Sequence, residues 1–269
     1  MPELPEVQTT VFGLKNKVLD RTFVDVWTNT PQIFKKPDFK EFKKEIKNKK
    51  IKEIKRRGKN IIFYLSDDFS MLVHLKMTGH FLYDKWQKDP MNSFIRVKFF
   101  LDNNKILALC DLRKFAKIEL HKTKDLKLNL GPEPLERDFT LNKFKSILKK
   151  GKIKQVLMNQ EIIAGIGNIY SDEILWEAKV NPFKNTFQLS EKELKEIYKA
   201  IKKVLLKAVR LKGTSISDFR DTEGKRGNFG EVRRVYRRTG ERCFRCGSII
   251  QRKKIGGRSA HFCPSCQKL

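Results

Sequence analysis

Four cysteines near the C-terminus constrain this chain more than any other feature. Cys243, Cys246, Cys263 and Cys266 read C-x2-C, sixteen residues, C-x2-C. Each pair can grip one side of a tetrahedral ion, and the stretch between them returns the second pair to the first. The spacing therefore predicts a β-hairpin closed on one structural zinc ion. Four thiolates leave no open coordination position, which argues against a catalytic metal. The chain opens MPELPEV, with no basic region followed by an apolar run, so no secretory signal is expected and disulfides are the weaker explanation of the cysteines. Cys110 lies in an apolar run and is expected simply to be buried.

The cysteine-bearing end is basic. From Val232 to Leu269 there are eleven Lys or Arg residues against one acid, Glu241, and the whole chain carries a formal charge of +28 from 59 basic and 31 acidic residues. Lysine-rich usage from an AT-rich genome accounts for part of that excess, but not for its clustering at the C-terminal end. Such a charge calls for a polyanion; nucleic acid leads and an acidic membrane surface comes second. With 39% hydrophobic residues and 20 phenylalanines the chain can fill real cores. No apolar run approaches the length of a membrane span, so a cytoplasmic protein with no membrane partner is expected.

The pattern changes twice along the chain. Residues 3 to about 20 read as a helix, with Val7, Val11, Leu14 and Val18 at helical spacing and Pro5 in the first turn. From Phe23 to about Leu120, short β-rich runs such as NIIFYL, SMLVHL and FIRVKFFL alternate with turn-like or charged stretches, which suggests a β-sandwich or barrel-like domain. A Gly/Pro-rich stretch, LNLGPEPLERD, reads as a linker. Helical spacing follows, and the longest helix begins at Ser190 with a capping box to Glu193. Residues 213–235 are polar and glycine-rich without period, the signature of a functional or disordered loop. The fold class is α+β and multidomain, with boundaries at 1–125, 126–235 and 236–269.

PELPEV, HLKMTGHF, DLRKF, GPEPL, GIGNIYSDE and the four-cysteine finger occur here in that order, from residue 2 to residue 267. Together they resemble the bacterial formamidopyrimidine-DNA glycosylase family. The resemblance implies an N-terminal helix plus β-sandwich, a helical domain with a helix–two-turns–helix motif, and a β-hairpin zinc finger, with double-stranded DNA in the cleft between the two halves. It implies a bifunctional enzyme of base excision repair, acting as a monomer at the bacterial nucleoid. That enzyme excises 8-oxoguanine and formamidopyrimidines and then nicks the strand at the abasic site, with no nucleotide or redox cofactor.

The resemblance also gives MPELPEV a chemical meaning. Removal of Met1 would make Pro2 a secondary amine. An α-amino group titrates near ~8, against ~10.4 for lysine, so a useful fraction is nucleophilic at neutral pH. Attack on a sugar C1′ then gives an iminium that is necessarily cationic. By resemblance Glu3 is the acid/base for the opening sugar ring, Lys59 a proton donor and phosphate neighbour, and Arg258 the finger arginine that grips phosphates. Glu6 is similar in type and is expected to order the terminus. Extrusion of a base leaves a gap in the duplex. Met77, Arg113 and Phe115 match the family's intercalating set, in which a wedge and an aromatic replace stacking and the arginine bonds the orphaned base. His74, Lys150 and Asn168 match backbone-contacting positions, and the 213–235 loop matches the segment that closes over the extruded base.

The chain departs from the family pattern in places. It reads VYRR at 235–238 where VYGR is common, Ala116 stands where a glycine commonly follows DLRKF, and the NSFIRVKF region has no histidine. Two other readings compete with the first: an oxidised-pyrimidine glycosylase of the endonuclease VIII type, and a non-catalytic zinc-ribbon DNA-binding protein. Composition and charge fit the last equally well; Pro2, Glu3, Lys59 and Arg258 speak against it.

Overall fold

In a computed structural model that describes residues 1–216 and 218–269, the first helix, α1, runs Leu4–Val18. Pro5 sits in its first turn, where a missing N–H removes no helix bond. The stripe Val7, Val11, Leu14 and Val18 is buried. Ser217, part of the 213–235 loop of the sequence reading, lies outside the described residues.

By internal contacts the chain divides into two units, Met1–Leu128 with Leu211–Gly230, and Asn129–Arg210 with Glu231–Leu269. In unit 1, β1 (Phe23–Thr28), β6 (His80–Tyr83), β7 (Ile95–Leu101) and β8 (Ile106–Cys110) form an antiparallel sheet in the order β1-β7-β8-β6. A second sheet has the order β2-β9-β5-β4-β3, from β2 (Phe34–Lys36), β3 (Ile51–Arg57), β4 (Asn60–Leu65), β5 (Phe69–His74) and β9 (Lys117–Lys122). Among the described residues only β2 and β9 pair in parallel. Both sheets feed one core: Phe23, Phe99 and Leu109 from the first meet Phe63, Met71 and Ile118 from the second, with Val11 of α1 and Phe42 of α2 (Phe39–Ile46). The expected sandwich is therefore present.

The sequence reading groups residues 211–230 with the helical domain, whereas their contacts lie in unit 1. Two local contacts explain this. The Tyr83 N–H at the end of β6 donates to Thr222 O at 3.0 Å. Gly213 has φ +76 and lies so close to Glu6 of α1 that a Cβ would sit 2.7 Å from Glu6 Oε1.

Unit 2 contains α3 (Leu141–Ile147), α4 (Ile153–Met158), α5 (Asn168–Glu177) and α6 (Glu191–Arg210). The capping box forms as expected: Glu193 N–H donates to Ser190 Oγ, and Ser190 N–H to Glu193 Oε2. Helix α4, the turns at 159–167 and α5 make the helix–two-turns–helix motif. Gln160 staples it, donating to Met158 O and Ile166 O and accepting from Gly165 N–H. The GPEPL stretch is not a free linker: Gly131 N–H donates to Gln160 O and Ala164 N–H to Pro132 O. After α7 (Phe229–Val232), β10 (Gln251–Ile255) and β11 (Arg258–Phe262) form the C-terminal hairpin. Its base packs with Trp176 of α5, Val235, Ile250 and two of the cysteines, so by contacts the finger groups with unit 2. Among the described residues no helix is long and apolar enough to cross a membrane.

Candidate active site and zinc centre

The capping geometry of α1 places its first residues. Glu3 is the N-cap residue and Glu6 follows one turn on; both are buried, as is Pro2. The Glu6 carboxylate accepts Glu3 N–H on Oε2 at 2.8 Å and Thr214 N–H on Oε1 at 2.7 Å. One side chain thus fixes both the terminus and the start of the 213–235 segment. Met1 is partly exposed, but burial of its amino group lowers that group's proton affinity below the usual α-amino value. The Glu3, Glu6 and Asp218 carboxylates oppose the shift, and the Lys59 charge adds to it. Lys59 is buried in the two-residue turn joining β3 to β4, where Arg57 pairs with Asn60. Neighbouring Arg56 bonds Gln8 of α1 at 2.8 Å, tying this turn to the helix. Unit 1 therefore gathers Pro2, Glu3, Glu6 and Lys59 around the amino terminus.

The remaining unit 1 candidates lie on two turns and a strand end. His74 closes β5 and is partly buried; its Nδ1 accepts Lys76 N–H at 2.9 Å, so Nε2 carries the proton. Burial, reinforced by the charges of Lys76, Lys59 and Lys117, pushes its pKa down to about 3. A neutral imidazole with a free Nε2–H is a fixed donor suited to a phosphate oxygen. Met77 lies in the 76–78 turn, and Arg113 and the half-exposed Phe115 in the turn after β8. The Arg113 guanidinium stacks over the Phe115 ring, 4.6 Å from its centroid.

The two turns are joined by a residue the sequence reading did not single out. Asp111 is fully buried. It accepts Thr78 Oγ–H and Arg113 N–H (3.2 Å) on Oδ1, and Ala116 N–H (2.7 Å) on Oδ2. Ala116 has no positive φ and is buried, so its backbone does not require the glycine common there.

In unit 2, Asn168 is the first residue of α5, with its Oδ1 buried and lacking a hydrogen-bond partner. Lys150 is exposed before α4, its Nζ 6.0 Å from the Phe187 ring centroid. Arg258 is exposed where the two-glycine turn of the hairpin enters β11. What mounts that hairpin is the acidic pair that ends GIGNIYSDE. Asp172, fully buried, meets Lys154 Nζ at 2.5 Å and accepts both His261 N–H (3.0 Å) and His261 Nδ1–H (2.9 Å). Lys154 also donates to Ser259 O at 2.7 Å. Glu173 accepts the N–H groups of Arg234, Val235 and Tyr236 at 2.7–2.9 Å. Strand β11 and the chain entering the finger are thus both pinned to α5. The GIGNIYSDE motif contains these acids; their finger-side partners, about sixty to ninety residues away, left no trace in sequence.

The four Sγ atoms of Cys243, Cys246, Cys263 and Cys266 lie within 4.8 Å of one another. Backbone N–H groups of Arg245 and Cys266 and the Trp176 indole donate to the Cys243 and Cys263 sulfurs at 3.4–3.5 Å. Such donors favour thiolates, and four thiolates with no further ligand are the donor set of a closed structural zinc. The residues present fit one structural Zn²⁺.

Comparison with known proteins agrees along the whole chain. Residues 1–118 match the formamidopyrimidine-DNA glycosylase N-terminal domain, 130–220 the formamidopyrimidine-DNA glycosylase H2TH domain, and 240–269 a zinc finger found in FPG and IleRS. A formamidopyrimidine-DNA glycosylase of Pelotomaculum thermopropionicum is 40% identical over 277 residues, covering all of both chains. The Lactococcus lactis Fpg, solved with DNA containing an abasic site, matches with a TM-score of 0.90 at 36% identity, covering 99% of this chain and all of that one. A MutM solved with DNA containing carbocyclic 8-oxo-G matches with a TM-score of 0.90 at 36% identity over all of both chains.

Proposed function

Because the chain belongs to the formamidopyrimidine-DNA glycosylase family, we propose that it is a DNA glycosylase and abasic-site lyase of base excision repair. Its substrates are 8-oxoguanine and formamidopyrimidines in duplex DNA. The observation that carries the reading is the amino terminus. A buried amine whose proton affinity is lowered sits with Glu3, Glu6 and Lys59. The Met1 amine stands here for the Pro2 amine that methionine removal would free.

The freed Pro2 nitrogen attacks C1′, its lone pair forming the N–C1′ bond while the glycosidic bond breaks, and the departing base takes up the proton that the amine nitrogen gives up. Glu3 protonates the ring oxygen, the C1′–O4′ bond opens, and an iminium forms on the proline. That cation acidifies C2′. Loss of its proton expels the 3′ phosphate, a second elimination expels the 5′ phosphate, and water releases the sugar fragment. Lys59 and Arg258 neutralise the phosphates, with His74, Lys150 and Asn168 as further backbone contacts. Met77, Arg113 and Phe115 fill the gap left by the extruded base, and residues of 213–235 cover it. Zinc, when bound, supplies rigidity to the hairpin that carries Arg258 and no chemistry. By role the working divisions are a catalytic part (1–125), a helical DNA-binding part with the covering loop (126–235) and a finger (236–269), although loop residues 211–230 pack within unit 1. The enzyme acts as a cytoplasmic monomer on nucleoid DNA.

The test is to mix the protein with a duplex containing one 8-oxoguanine, add borohydride and map the adduct by mass spectrometry. A reduced crosslink on the Pro2 nitrogen, with Met1 absent, is expected. Trapping only with an oxidised-pyrimidine duplex would move the enzyme to the endonuclease VIII type. Tight binding with no adduct on any duplex would leave a non-catalytic DNA-binding protein.

A further inference from the structure

Residues 220–225 are polar, yet buried groups hold them firmly to the end of β6 and the loop that follows it. Arg220 is 1% exposed, and its Nη2 lies 2.9 Å from Asp89 Oδ1. The carbonyls of Thr222, Glu223 and Gly224 accept in turn from Tyr83 N–H (3.0 Å), Gln87 N–H (2.8 Å) and Asn92 Nδ2 (3.2 Å). Asn92 is 4% exposed; its Nδ2 also donates to Gln87 O, and its Oδ1 faces His80 Nε2 at 3.0 Å. Burial holds His80 neutral at physiological pH, so Nε2–H orients the Asn92 amide. Gly224, with φ +80, lies so close that a Cβ would sit 2.3 Å from Asn92 Nδ2. Asp221 closes the turn itself, accepting Glu223 and Lys225 N–H on Oδ1.

The other stem is fixed as well, since Thr214 donates to Glu6 and bridges Asn228. Buried attachments therefore hold the chain at Thr214 and again at 220–224. The groups that receive it, Asp89, Gln87, Asn92 and His80, have no part in the proposed chemistry or DNA contacts.

We propose that Asp89 and Asn92 are positioning residues for base excision, fixing the downstream stem of the segment that covers the extruded base. This rests on the base-excision reading above. A covering segment whose stems are already fixed gives up less conformational freedom when it holds the base. Strand cleavage at an abasic site has no base to hold. Disturbing the attachment therefore separates the two activities, which a general loss of folding cannot do.

Asn92→Ala removes the bonds to Gly224, Gln87 and His80; Asp89→Asn is the milder change at Arg220. Single-turnover release of 8-oxoguanine and cleavage of a preformed abasic-site duplex are measured side by side. Each variant is expected to lose about tenfold or more in base release, a misplacement-sized effect, while staying within about twofold at the abasic site. Base release unchanged in both variants, or parallel loss of both activities in both, overturns the assignment. If the unaltered protein itself releases no 8-oxoguanine, the base-excision reading fails instead.

Discussion

Replacing Asp111 tests whether one buried carboxylate holds the two gap-filling turns together. It accepts from the Thr78 hydroxyl, Arg113 N–H and Ala116 N–H. Hydrogen bonds to charged groups contribute about 1.5–3 kcal/mol each, and buried donors left unmade cost a similar amount. In Asp111→Ala the Ala116 N–H and the Thr78 hydroxyl lose this acceptor in a buried site. The Arg113 N–H keeps Thr78 Oγ1 at 3.0 Å and is discounted. The sum is about 3–6 kcal/mol, a large share of a stability of about 5–15 kcal/mol. Asp111→Asn keeps one oxygen for Ala116 and lets the Thr78 hydroxyl rotate to accept, so about 1–2 kcal/mol is expected. The assay is urea unfolding followed by fluorescence, with Trp27 and Trp86 both in unit 1. A fluorescent base analogue opposite the lesion then reports gap filling. The expected order is wild type, Asn, Ala in both measurements. An Asp111→Ala midpoint within about 1 kcal/mol of wild type at unchanged slope, with normal gap filling, would refute the reasoning.

Three further outcomes are expected. Arg237 adopts φ +54 where the family pattern commonly has glycine, so Arg237→Gly should relieve strain and raise stability by up to about 1 kcal/mol in thermal unfolding. His74 and His80 both have folded pKa values below the unfolded 6.5, so stability is full above that pH. It should fall as pH drops from about 6.5 toward 3, measurable by unfolding across that range, and His74→Phe should flatten the slope. Chelation should remove one zinc and loosen the Trp176–Val235–Ile250 cluster, seen as altered Trp176 fluorescence and tryptic cleavage within 236–269 while unit 1 stays intact.

The sequence carried whatever depends on spacing. Helical period exposed α1 and the α6 stripe, and two C-x2-C pairs exposed the zinc centre before any geometry was known. Glu3 and Lys59 were legible only because short motifs around them resemble a family; a lone buried lysine in a turn has no signature. What stayed hidden are partners set by tertiary approach. Asp111, Asp172 and Glu173 were visible as letters inside motifs, but their backbone donors come from other turns or from far along the chain. The grouping of 211–230 with unit 1 was hidden for the same reason: Glu6 and Asn92 recruit it through main-chain groups, which carry no residue-type signal.

The Lys154–Asp172–His261 network also bears on how freely this finger can be exchanged. The module at 240–269 is of a kind found in FPG and IleRS, which makes it look portable. Here its outgoing strand is soldered to α4 and α5 by two groups with no solvent exposure, Lys154 and Asp172. Losing either partner strands a buried charge, a defect that costs about 3–5 kcal/mol. A graft that brings a foreign finger without an equivalent of His261, or that moves this finger onto a scaffold lacking Lys154, Asp172 and Glu173, inherits that defect. For engineering, the transferable unit is the finger together with the α4–α5 acids and lysine that receive it.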